Sequence, residues 1–343
     1  MELFSQPAVK EKLYARVAID GPTGSGKTWT GLQWARILAG PKGKIGVVDT
    51  ENRSASYYAP DPRKPIERLN WWDPPYEFFP HNALPPYDPG KLADLIKAAG
   101  PELMETADRP AGVLLIDSLT HYWNGEGGTL DVVDNAAARY GGNTFAGWKE
   151  GTPVQRHLLD TIIHAPFHVV VTMRSKMEWI IEEVNGRKSP KKIGLAPEQR
   201  AGIEYEFTVV ADMDLEHVMV VSKSRCDLIA DRVAHKGRSA EVATEFADWL
   251  ATGVERLSND EVAELVAAMD RVTNAEDRKT IKQEFLAEFG RPTEMATDHL
   301  EAARAWLDGK VPPPLRQEGA LADAVAEALP DQPEFDVDPE PES

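Results

Sequence analysis

Cysteine is nearly absent from this chain of 343 residues, where Cys226 stands alone. A single thiol excludes an internal disulfide framework and a cysteine-ligated zinc site, and it fits a reducing compartment. The eight histidines show no metal-ligand spacing. No apolar run reaches the ~18 residues that a membrane span needs, and residues 1–7 hold no basic segment followed by an apolar one. The expectation is a soluble, cytoplasmic protein with no membrane partner. Basic residues are scarce as well, 38 Lys and Arg against 56 Asp and Glu, for a net charge of −18. That balance excludes a surface coated for nucleic acid, so any polyanion site has to be local.

The most informative stretch that is present is Gly21-Pro22-Thr23-Gly24-Ser25-Gly26-Lys27-Thr28, a complete G-x-x-x-x-G-K-[ST] pattern. Ala15 to Ile19 reads as a buried strand before it, and Lys27 to Leu38 as a helix after it, stopped by Gly40-Pro41. In that context the glycines let the backbone wrap a diphosphate, Lys27 reaches the outer phosphates, and the Thr28 hydroxyl addresses Mg²⁺. A second strand, Lys44 to Asp49, ends in Asp49-Thr50-Glu51. A third, Gly112 to Asp117, ends in an aspartate suited to hold the Mg²⁺ shell together with Thr28. Many nucleotide hydrolases place the water-activating glutamate directly after this aspartate, but here the next residue is Ser118. Glu51 is therefore the expected catalytic carboxylate, provided its strand neighbours the phosphate-loop strand.

Residues 53–90 read as a long connection holding one strand, followed by a helix from Pro89 to Ala99. Residues 121–151 are polar and glycine-rich, with Arg139, Tyr140, Phe145, Trp148 and Lys149 interleaved, and read as a mobile binding loop ahead of an amphipathic helix from Pro153 to His164. After a buried strand at 167–173, Asn185-Gly186 marks a hairpin whose second arm carries Arg187, Lys188, Lys191 and Lys192 with no acid between them. In so acidic a chain this is the expected phosphate-backbone contact. Two further strands, 202–211 and 218–224, lead to Lys223 and Arg225. The chain then changes character. Ser258 to Glu261 and Thr273 to Glu276 each fit a capping box opening an amphipathic helix, and residues 317–343 hold nine acidic residues, four prolines and no Lys or Arg. The expected organisation is an α/β core over 1–254, a small helical domain over 255–312 and a disordered acidic tail over 313–343.

The order of these features, from the phosphate loop through Asp49-Thr50-Glu51, Ile116-Asp117-Ser118 and a basic hairpin to Lys223-Ser224-Arg225, resembles the RecA-like recombinase ATPases. Phage-encoded, single-core versions related to strand-annealing recombinases are the nearest in pattern. The resemblance covers residues 12–235 and implies a mostly parallel, twisted sheet with a β-hairpin. It implies ATP and Mg²⁺ as cofactors, Glu51 polarising the attacking water, Tyr58 stacking on the adenine, and Lys223 and Arg225 acting on a neighbour's nucleotide. The stretches 124–149 and 176–197 would face single-stranded DNA, with Trp148 and Tyr140 as stacking residues. A ring or filament of identical subunits in a host bacterial cytoplasm follows, with a single-strand-binding protein as a candidate partner. One departure is plain: where the family carries a γ-phosphate-sensing glutamine, this chain has Thr172-Met173-Arg174, which makes Arg174 the substitute. The leading expectation is a DNA-stimulated ATPase of recombination or annealing. A replicative helicase-like motor, a small-molecule P-loop kinase and an ATP-gated assembly protein are the alternatives.

Overall fold

A computed structural model describes residues 8–312 except 107, 185, 186, 256, 258, 293 and 294. The chain divides into two compact units that meet in sequence at Gly253 and Val254. In the first, β1 (Arg16–Gly21) feeds α1 (Lys27–Ala39), then β2 (Ile45–Asp49), β3 (Phe79–Asn82), α2 (Pro89–Ala98), α3 (Gly100–Leu103) and β4 (Val113–Asp117). Three helices follow, α4 (His121–Asn124), α5 (Thr129–Arg139) and α6 (Thr144–Ile163). The long strand β5 (His168–Val184) turns back as β6 (Arg187–Pro197). The unit closes with β7 (Val209–Met213), β8 (Met219–Ser224), β9 (Val233–Ala234) and α7 (Ser239–Ala251).

These strands form one sheet in the order β3-β2-β4-β5-β1-β7-β8-β9, with β6 paired to β5 outside that path. The pairs from β3 through β7 are parallel, and β5–β6, β7–β8 and β8–β9 are antiparallel. Strands buried on both faces read as unbroken apolar runs, because each alternate side chain finds a different layer. Val17 and Ile19 of β1 pack with Leu32 and Trp34 of α1 on one face. On the other, Ala18 joins Leu92 and Ile96 of α2 and Leu158 and Ile162 of α6. Because α7 covers α1 in turn, with Trp34 and Phe246 ring centroids 6.1 Å apart, α1 is buried almost all round from Thr30 to Ala39.

The glycine-rich stretch expected to be a loop is mostly helix. α6 begins at Thr144, capped by the Asn143 side chain, and runs through Pro153. Its glycines serve close helix crossing. A Cβ on Gly147 would lie 2.4 Å from the Val133 carbonyl, and one on Gly151 2.3 Å from a Val133 methyl. The strand expected from residue 202 begins later, since Gly202, at φ +89°, opens a 3₁₀ turn over Ile203–Glu206.

The second unit holds α8 (Asn259–Asp270), α9 (Ala275–Phe289) and α10 (Leu300–Asp308) around Leu265, Met269, Phe285 and Leu307. Asn274, one residue later than expected, caps α9 by accepting from the Glu276 and Asp277 amides. Ser258, the other expected cap, and the expected tail at 313–343 lie outside the described residues.

Candidate nucleotide site

The phosphate loop joins the C-terminal end of β1 to the N-terminus of α1. Gly24 and Gly26 sit at φ +83° and +94°, left-handed values that a side chain would strain. α1 begins with no side-chain cap and no acidic residue in its first turn. Its first N–H groups are thus free of intrachain anions, the arrangement that receives a phosphate. The Ser25 hydroxyl beside them is buried and has no hydrogen-bond partner. Lys27 lies across the loop, donating to the carbonyls of Gly21 at 2.9 Å and Pro22 at 2.8 Å. Burial lowers its pKa first of all, and the Glu51 and Asp117 carboxylates oppose that shift. The strand, loop and helix therefore fit a bound di- or triphosphate.

Asp117 ends β4 and is 1% exposed. Its carboxylate accepts from the Thr28 hydroxyl at 2.7 Å and from the Thr172 hydroxyl on β5. Burial pushes its pKa up to about 6, against the pull of those two donors. A carboxylate and a hydroxyl held together are the hard oxygen set that suits Mg²⁺, so Thr28 and Asp117 fit the expected ion. No local pattern marks Thr172, because only the sheet order, with β5 between β4 and β1, brings it there.

The strand before Glu51 does not neighbour the phosphate-loop strand as expected, because β4 and β5 lie between β2 and β1. β2 instead pairs with β4, Asp49 beside Asp117, so Glu51 leaves the sheet next to that carboxylate. Asp49 itself is spent on the backbone, accepting from the amides of Glu51 at 2.8 Å, Arg53 at 3.2 Å and Ala55 at 3.0 Å. Arg174 meets Glu51 Oε1 through Nη2 at 3.0 Å and Nε at 3.1 Å. Its own amide donates to Thr120 Oγ1 at 2.9 Å. Lys27, Thr28, Glu51, Asp117 and Arg174 thus converge on one end of the sheet.

A cavity of about 390 Å³ opens beside Gly26, lined by Trp29, Tyr58, Met213, His217 and His235 among others, with no acidic side chain in its wall. Tyr58, expected to stack on the adenine, is one of its lining residues, while Trp29 and the two histidines carry no motif that would single them out. His217 is fixed by a 2.9 Å hydrogen bond between Nδ1 and the Ser25 carbonyl.

The remaining candidates lie apart. Trp148 sits on α6 against Trp123, ring centroids 5.9 Å apart, with the Arg200 guanidinium 5.7 Å from its ring. Tyr140 is 56% exposed at the α5–α6 turn, and Phe145 beside it is 81% exposed. Arg187, Lys188, Lys191 and Lys192 lie on β6, in antiparallel register with β5 from Ser175↔Pro197 to Val184↔Arg187. Lys223 is committed within its own chain, its ammonium donating to the carbonyls of Glu204, Tyr205 and Phe207 at 2.7–2.8 Å. Arg225 is exposed.

Below the loop, Asp20 on β1 lies in register with Asp212 on β7. Burial first, and then Asp212, push the Asp20 carboxyl up to about 8. The unfolded chain releases this proton near the ordinary carboxylate value of about 4. Between about pH 4 and pH 8 the folded state therefore holds more protons, and stability falls as pH rises through that window. Asp20→Asn is expected to flatten this decline, whose steepest slope is about 1.4 kcal/mol per pH unit for one proton. Denaturant unfolding across the window measures it, and an unaltered slope would place the proton elsewhere.

Compared with known proteins, residues 13–239 match a family model described as an AAA domain. No curated protein matches the chain.

Proposed function

The chain belongs to this AAA-domain family of P-loop NTPases, and from that premise we propose that it is an ATP- and Mg²⁺-dependent ATPase that binds single-stranded DNA. In this reading it works as a homo-oligomer of RecA-like, phage-recombinase type, in recombination or strand annealing. The observation that carries the proposal is the course of β5. Thr172 and Arg174 stand in the nucleotide site, and from Ser175 onward the same strand pairs with β6, the arm with four basic residues. A ligand on the hairpin and a nucleotide on the loop would thus act on one continuous strand.

The chemistry divides among the chain's own groups. The loop amides and Lys27 bind and orient the phosphates. Thr28 and Asp117 would hold Mg²⁺, which when bound would neutralise phosphate charge. Glu51 takes the proton of the attacking water. Arg174, which that carboxylate holds at the loop, faces the γ-phosphate and takes the place of the sensing glutamine. Tyr58 and Trp29 flank the adenine.

The test is the ATPase rate with and without single-stranded DNA, together with DNA affinity as a function of salt. Stimulation is expected. Replacing Arg187, Lys188, Lys191 and Lys192 by Ser should weaken binding and flatten the plot of log affinity against log salt by about 0.7 for each phosphate that is no longer neutralised. Turnover that ignores DNA but requires a small phosphate acceptor would favour the kinase reading.

A further inference from the structure

Thr50, the residue before Glu51, is 5% exposed and is held at every polar atom. Its amide donates to the Asp117 carbonyl at 2.7 Å. Its hydroxyl accepts from the Ser118 amide at 2.7 Å, lies 3.3 Å from the Ser118 carbonyl as a donor, and shares a 2.7 Å hydrogen bond with His121 Nδ1. Its carbonyl accepts from the Tyr87 hydroxyl at 3.4 Å. His121 opens α4, and its ring stacks on Tyr87 with centroids 5.1 Å apart and planes 19° apart. Tyr87 is anchored in turn, its amide donating to the Glu126 carbonyl at 2.7 Å. A Cβ on Gly125 would come within 2.9 Å of the Tyr87 ring. No spacing rule links residues 50, 87 and 121, and only the fold joins them.

We propose that His121 is a positioning residue for hydrolysis, clamping Thr50 at the corner after β2 so that the Glu51 carboxylate is held in place to take the proton of the attacking water. The inference rests on the hydrolase reading of the same site. Thr50 is fixed from one side by Asp117, the last residue of β4, and by Ser118 after it, and His121 and Tyr87 close the other. Asp49 already holds the Glu51 amide and Ser118 holds the Thr50 hydroxyl from the β4 side, so His121 supplies the side-chain contact to that hydroxyl from the opposite side. Burial and the Arg174 charge keep the imidazole below its usual pKa range. It is therefore neutral near pH 7 and can share one hydrogen bond with a hydroxyl without adding a cation beside Lys27 and Arg174.

The test compares His121→Phe, which keeps the stack on Tyr87 and loses the hydrogen bond, with His121→Asn, which returns a polar atom near the position of Nδ1. His121→Phe is expected to lower kcat about 10- to 100-fold, the scale of an ångström-sized misplacement. Nucleotide affinity by calorimetry should stay within about twofold, and His121→Asn should recover part of kcat. Amide hydrogen exchange supplies a readout independent of turnover. The amides of residues 49–53 should exchange faster in His121→Phe and return toward the parent rate in His121→Asn. Unchanged exchange, or a kcat loss that tracks an equal loss of nucleotide affinity, would overturn the clamp. A parent chain without turnover would overturn the hydrolase reading alone, and the exchange comparison would still decide whether His121 holds Thr50.

Discussion

Glu51→Gln is expected to lower turnover by about 10²-fold or more while leaving nucleotide affinity nearly intact, as removal of a general base does. The substitution is nearly isosteric, and its backbone is held independently of the side chain. The Glu51 amide is tied to Asp49, and Thr50 before it is tied to Asp117 and Ser118. Glutamine can still accept from Arg174 at the oxygen that now receives Nε and Nη2. What it cannot do is take a proton. The loss should therefore fall on kcat and kcat/KM alike, with KM little changed, the pattern of an interaction made in the transition state. Phosphate release in single turnovers, with binding by calorimetry, separates the two quantities. Turnover persisting near the parent rate would mean that the water is activated by another group, and Glu51 would then be only the counter-ion of Arg174.

Which parts of this site can be read before folding depends on the range of the interaction. The loop, Asp117 and Glu51 are legible as candidates because each ends or closely follows a strand buried on both faces, so an apolar run gives way abruptly to glycines or carboxylates. Thr172, His121 and Tyr87 are not. They reach Asp117 and Thr50 because β5 enters between β4 and β1 and because α4 turns back over the end of β2, facts of sheet order that no local period encodes. The stretch 121–151 reads as a loop for a related reason. Gly147 and Gly151 look like flexibility in a sequence, but between α5 and α6 they are what lets two helices touch. Lys223 and Arg225 pair in the sequence as alternate residues on one strand face, and the fold separates them by occupying Lys223 with three carbonyls of its own chain.

That separation sharpens the last expected result, which is that Arg225→Ala lowers turnover about 10³-fold, the scale of an arginine finger, through a neighbouring subunit. Its own nucleotide is out of reach by topology. β8 runs antiparallel to β7, and Ser224 pairs with Val209, the first residue of β7, while the Arg225 amide donates to the Thr208 carbonyl. The Thr208 amide donates to the carbonyl of Arg16, where β1 begins, and the phosphate loop follows Gly21, where β1 ends. At about 3.3 Å per residue the intervening strand puts them some ~16 Å or more apart, at opposite ends of the strands. Lys27 and Arg174 are cations at the loop, Arg174 already faces Glu51, and Lys236 lines the cavity beside Gly26. Arg225 itself could meet a γ-phosphate only on a second copy. Lys223 should behave differently, since its loss uncaps the turn at Glu204–Phe207 and acts on Arg225 indirectly. Mixing separates a finger acting in trans from a surface charge. Arg225→Ala protomers keep an intact loop and Lys27→Ala protomers keep an intact Arg225, so in a head-to-tail assembly of equal parts roughly a quarter of the junctions unite one of each. Activity is expected to return in the mixture to about that fraction of the parent rate. Mixtures that co-assemble and stay as inactive as either variant alone would rule the arrangement out.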